Sequence, residues 1–323
     1  MSSKCNTNKF LILAFGLLLL GPLSASGEAK NAEAWRVFPA ANDAYRYEGD
    51  ALKNAWNELH GVDNEPFPSA ENLKSLFERT GADKPGSPYA IVNFNGDYKA
   101  LAEKVQNAWR LFHRGDFQGA FTASENLGLA GFYIALRARA VHGHYLIEDK
   151  EQRKVFIADY FWRQNSLLKD NPIDYTNAYY GVLYALGRYG QTLPIPQAIA
   201  DGVPFKVSKL ISQVEEKDAN HPENLSLKGI YHCDVVAKIG GFMSRITFGA
   251  KESTCIDSFE KALALEPEDI GIKVEYVLEM LTVDKQKYYN QITMQLDKAM
   301  AIEPKDAKAF LDQQVARKLL SEL

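Results

Sequence analysis

Residues 255–269 read CIDSFEKALALEPED, and residues 295–307 read QLDKAMAIEPKDA. The two share Ala-Leu/Met-Ala-Leu/Ile-Glu-Pro-x-Asp, and their prolines, Pro267 and Pro304, lie 37 residues apart. Self-similarity at a period of that size belongs to stacked supersecondary units, none of which can bury its apolar face alone. Such an array works through its surfaces, so function is to be sought there rather than in a catalytic signature.

Working outward, proline placement is the next signal, because a helix interior tolerates proline poorly and a first turn tolerates it well. None occurs between Pro88 and Pro172. The chain there, and most of it from Pro172 to Leu323, carries apolar residues at i, i+3, i+4 and i+7, the helical period. Only YAIVNF, residues 89–94, has the look of a strand, and one strand makes no sheet. The segment from Glu28 to Ser87 differs, with Pro39, Pro66, Pro68, Pro85 and Gly86 separating shorter helical pieces. The domain reading is therefore a helical cap or lid over 28–90 and a helical repeat domain over 91–323.

These residues resemble the tetratricopeptide repeat (TPR), whose units are helix pairs of about 34 residues. Cys255, Phe259, Ala262 and Pro267 fall at the offsets of that family's second helix, and Ile292, Leu296, Ala299 and Pro304 repeat them one unit later. Gly115, Phe117 and Ala120 match its inter-helix glycine, aromatic and small positions, and LISQVEEKDANHPE is a weaker copy. The spacing of Pro172, Pro222, Pro267 and Pro304 is irregular, and no unit carries the full first-helix pattern. The resemblance implies an all-α fold: a TPR-like α/α superhelix of antiparallel helix pairs with an N-terminal helical cap. It is similar to small exported proteobacterial repeat proteins, and related repeats occur in components associated with periplasmic substrate-capture transporters.

Lys4 and Lys9 precede an apolar run, Phe10 to Leu20, followed by Gly-Pro and small residues. Residues 1–27 are thus expected to be a cleaved secretory signal peptide, its run too short for a bilayer span, with the mature protein periplasmic or secreted and not inserted in a membrane. Losing Lys4 and Lys9 moves the net charge from −4 to about −6, which argues against nucleic acid as a partner. Cys233 and Cys255 lie equally far from Ser244, so a helical hairpin between them makes a disulfide geometrically possible in an oxidising compartment. Two separately buried thiols are the alternative.

No nucleophile elbow, metalloprotease motif, phosphate loop or dinucleotide fingerprint occurs, which points to a non-enzymatic protein without cofactor. His142 and His144 diverge on a helix, so no metal site is expected there. Binding residues are expected on the first helices of the pairs, along a concave groove. The candidates are Tyr180, Tyr184 and Arg188 in one stripe, Arg137, Arg139 and His142 on a second helix, and Trp109 and His113 on a third. Tyrosine and arginine bind well at interfaces. A tyrosine stripe also suits a core, and Arg137 and Arg139 also suit ion pairs with Glu151 or Asp159. The leading expectation is a scaffold or assembly factor holding a polypeptide in its groove. The alternative is a small-molecule binding component of a transport system, closed by the cap.

Overall fold

Aspartate side chains open five of the helices. In a computed structural model, which describes residues 35–40 and 44–323, Asp97, Asp116, Asp149, Asp269 and Asp306 each accept a hydrogen bond from the backbone N–H three residues on. Such caps satisfy an orphan donor of the first turn and contribute about 1 kcal/mol apiece. The signal-peptide expectation, residues 1–27, lies outside the described residues.

The helices are α1 (Ala51–His60), α2 (Ala70–Thr80), α3 (Tyr98–His113), α4 (Phe117–Ser124), α5 (Leu129–Leu146), α6 (Lys150–Asp170) and α7 (Thr176–Gly190). A short α8 (Ile195–Ala200) leads into α9 (Val203–Lys217) and α10 (Pro222–Ile239). After a second short piece, α11 (Gly241–Phe248), come α12 (Glu252–Leu265), α13 (Ile270–Asp284), α14 (Tyr289–Ala301) and α15 (Ala307–Ser321). Among the described residues the structure is all-helical and holds no strand.

The strand expectation over 89–94 is therefore corrected. Turn hydrogen bonds run from the Ala90 N–H to Ser87 O and from the Phe94 N–H to Ile91 O, and Asn93 sits at φ 56°. A left-handed residue ends any extended run.

The twin Glu-Pro-x-Asp phrases occupy matching places. One joins α12 to α13 and the other α14 to α15, with Asp269 and Asp306 as the caps. Their prolines stand two residues before the cap, in the connection rather than in the first turn. At α10, by contrast, Pro222 is the first helical residue, and the His221 ring accepts from the Asn224 N–H at 3.1 Å.

Consecutive helices pack on one another from α3 to α7 and from α12 to α15, and α5 also meets α7, α10 meets α12 and α13, and α13 meets α15. The short α8 is bypassed by α9 packing on α7, and α11 by α12 packing on α10. Small residues set the close crossings. Ala120 and Ala262 are fully buried, and a Cβ on Gly229 would come within 2.6 Å of the Phe259 ring. That close approach of α10 and α12 brings Cys233 and Cys255 to a Cα separation of 5.4 Å, and a disulfide joins them. Finally α15 touches α3.

Candidate functional site

Helices α3, α5, α7 and α10 present one continuous face to residues 56–65, and the contacts there are mostly polar. Trp56 and His60 pack on Trp109 of α3, with ring centroids 5.9 and 4.4 Å away. Further on, Asp63 accepts from the Tyr133 hydroxyl of α5 at 2.7 Å, while its backbone carbonyl accepts from Asn177 of α7 at 3.0 Å. The Glu65 carboxylate accepts from Asn177 at 2.6 Å and from the Tyr175 hydroxyl at 2.8 Å. Val62 O accepts from the Glu223 N–H of α10 at 2.9 Å. The chain's own segment therefore covers this face of α3, α5, α7 and α10.

Buried charge runs beneath it. Arg137 pairs with both carboxylate oxygens of Glu223, at 2.6 and 2.9 Å, and donates to the Tyr133 hydroxyl at 2.7 Å. Lys308 pairs with Asp312 at 3.1 Å, and Asp312 also accepts from the Tyr145 hydroxyl. Burial alone would raise Asp63, yet the His60 ring, the Arg137 charge and the Tyr133 hydroxyl hold it well below the usual carboxylate range. Glu65 goes the other way: burial outweighs its two hydrogen-bond donors and pushes it up to about 8. Two neighbouring carboxyls thus carry opposite protonation at neutral pH.

His60 and His113 meet Nε2 to Nε2 at 3.3 Å, while their Nδ1 atoms face Asp63 and Asp306, each at 3.0 Å. Burial pushes His113 below the ordinary imidazole range, against the raising effect of the Asp306 contact.

Every residue singled out in the sequence is buried. Trp109 and His113 stack on each other under α1. Tyr180 packs on the His221 ring at 4.6 Å. The Tyr184 ring lies beneath Arg188, 4.9 Å from its guanidinium, and the Tyr184 hydroxyl has no hydrogen-bond partner among the described residues. Arg139 donates to Phe156 O and pairs with Asp159 at 2.8 Å, one of the two ion pairs considered for it. For Arg137 the partner is Glu223 rather than Glu151 or Asp159. His142 Nε2 accepts from the Arg36 N–H at 3.0 Å, with the Trp35 ring packed alongside. Two of them, Arg137 and Arg188, also border cavities.

Arg137 borders a cavity of about 250 Å³ between the α1 end and the starts of α13 and α15, walled by Glu58, Leu59, Asp269, Lys308 and Asp312 among others. Burial pushes Asp269 up to about 6 despite nearby Lys308. Arg188 borders a second cavity, about 350 Å³, that sequence reasoning missed. Its wall is aliphatic: Leu183 of α7, Ile195 and Ile199 of α8, Val203 and Val207 of α9, Leu227, Ile230 and Ile239 of α10, and Phe248 of α11. The short helices make this space, because α7 packs on α9 and leaves α8 to the side. The signal was present in Gly187, whose Cβ would meet only Leu227, 3.9 Å away. A mid-helix glycine that no neighbour crowds marks room beside the helix.

Among the described residues no group of three or more His, Cys, Asp or Glu is placed to hold a metal ion, and no helix is long and apolar enough to cross a membrane. No protein-family model matches the chain, and neither does any curated protein.

Proposed function

We propose that the chain is an exported, TPR-like superhelix that acts as a binding protein, with its N-terminal segment serving as a fixed occupant of the concave groove and its ligand taken at the edge of the stack, in the aliphatic cavity between α7 and α11. The observation that carries this reading is the cavity itself. It is concave, apolar and large enough for a small organic molecule, the usual make-up of a ligand site. Its charged and amide lining residues are few: Arg188, Lys150, Gln191, Asp234 and Lys238. The closed groove favours the small-molecule alternative over capture of an extended polypeptide there. The Cys233–Cys255 disulfide supports an oxidising compartment, periplasmic or extracellular.

A neutral apolar fluorophore, Nile red, tests the reading. Saturable binding to one site is expected, abolished by Gly187→Leu, which fills the cavity without moving the backbone. Undiminished binding to a folded Gly187→Leu protein would place the ligand elsewhere.

A second reading keeps a polypeptide partner but moves it out of the groove. Phe205, Phe242, Met243 and Ile246 on α9 and α11 are between 50% and 67% exposed, and Phe205 packs on Phe248 of the cavity wall at 5.1 Å. Clustered exposed apolar side chains of that kind mark interaction surfaces. Capture of a partner that depends on Phe242 and Ile246, but not on Gly187, would favour it.

A further inference from the structure

The aliphatic cavity has a polar end, and its chemistry is specific. Arg188 is only 5% exposed, yet it lines the cavity. Its Nη2 is engaged by Glu275, and its Nη1 donates a long bond, 3.3 Å, to Gln191, itself a cavity residue with an exposed side chain. The third nitrogen, Nε, is buried without any hydrogen-bond partner among the described residues. An unused donor on a buried guanidinium costs about 1–3 kcal/mol unless something fills it. Gln191, held only by that long bond, is readily displaced by a better acceptor.

The charges bordering the space lean the same way. The one carboxylate on the wall, Asp234, is held by Lys238 at 2.8 Å. Glu275 balances Arg188. That leaves Lys150, exposed at the N-terminal end of α6, as the cavity charge that no carboxylate of the wall offsets.

Resting on the cavity reading above, we infer that the ligand is an amphipathic monoanion: an apolar chain lying along α8, α9 and α10, ending in a carboxylate that displaces Gln191, accepts from the Arg188 guanidinium and is drawn in by Lys150. A planar fork of N–H donors suits a carboxylate better than a neutral head group does. The cavity beside Arg137 is bordered by more carboxylates than cations and would repel the same molecule.

Calorimetric titration of the full chain with decanoate, decanol and decylammonium at matched ionic strength tests this. Decanoate is expected to bind roughly tenfold or more tightly than decanol, the value of one charge-assisted hydrogen bond, and decylammonium more weakly than either. The double variant Arg188→Gln with Glu275→Gln, which removes both buried charges together, is expected to bind decanoate and decanol alike. The ligand series on the unaltered protein decides the question even if that variant does not fold. Equal affinity for decanoate and decanol would overturn the head-group assignment while leaving the cavity as a site. Preference for decylammonium would overturn it in favour of Asp234. Tighter binding of a short apolar peptide with a free C-terminal carboxylate would transfer the site to a polypeptide. If none of the three alkyl ligands binds, the cavity reading itself fails.

Discussion

Residues 56–65 lie over α3, α5, α7 and α10 and seal them with aromatic rings and paired charges, whereas among the described residues no such segment covers the space between α7, α9 and α11. The two regions share α7 and α10, yet one is crossed by chain and the other is open. Where covering chain is present, tyrosines and arginines turn inward against buried acids; where it is absent, aliphatic side chains line an open space beside Arg188. Residue type alone therefore does not say which face of a helix stack is free. Arg137 and Arg188 carry the same side chain on neighbouring helices and each pairs with a buried glutamate, but the cavity beside Arg137 is lined with carboxylates and the one beside Arg188 with aliphatic side chains.

The largest test of the comparison is on the covered side. Arg137→Met removes the hydrogen-bonded partner of Glu223 and leaves it only Lys308 at 3.8 Å, so a loss of about 3 kcal/mol is expected in urea unfolding. A loss under about 1 kcal/mol would mean that the seam is not a closed, desolvated network. Next in size is the disulfide that braces the open side. Cys233→Ser with Cys255→Ser is expected to cost about 2–4 kcal/mol by the same measurement, through release of loop entropy in the unfolded chain.

Titration separates the two carboxyls of the seam. Asp63, held low in the folded state, contributes stability that is present above its ordinary value of 3.8 and is lost as the pH falls below it. Glu65, raised to about 8, contributes stability that is full below its ordinary value of 4.5 and is lost as the pH rises through 8. Glu65→Gln is therefore expected to flatten the fall in stability between pH 5 and pH 9, by about 1–2 kcal/mol at the alkaline end, since Glu65 keeps some contact with solvent. Chemical denaturation at a series of pH values reads this out. An unchanged slope would mean that Glu65 is ionised throughout. The smallest effect is on the open side: Gly187→Ala meets no neighbour closely and is expected to raise stability by up to about 1 kcal/mol, by removing backbone freedom from the unfolded chain.

Much of the helical architecture was legible because it is local. Aspartates three residues before a backbone donor and prolines at helix entrances are signals carried within one turn, and the twin phrases around Pro267 and Pro304 mark corresponding corners. The spacing of Tyr180, Tyr184 and Arg188 set them along one helix for the same reason. What covers them was not legible. The residues doing so, His60-Gly61-Val62-Asp63-Asn64-Glu65, have no apolar period, contain two acids and put Asn64 at φ 51°, all marks of an exposed loop. Besides its near neighbour His60, Asp63 meets Tyr133 and Arg137 from distant parts of the chain, a long-range pairing that no window of sequence contains. Likewise the cavity's apolar wall draws on residues of five helices, α7 to α11, a long-range arrangement that their composition alone does not announce.

Methyl-resolved NMR titration with decanoate tests the central claim most directly, because it reports both regions in one experiment. Shifts are expected at the Ile195, Ile199, Ile230 and Ile239 methyls around the open cavity, with Leu59 and Val62 beside the seam unmoved. Shifts at Leu59 and Val62 with the four isoleucines silent would contradict it.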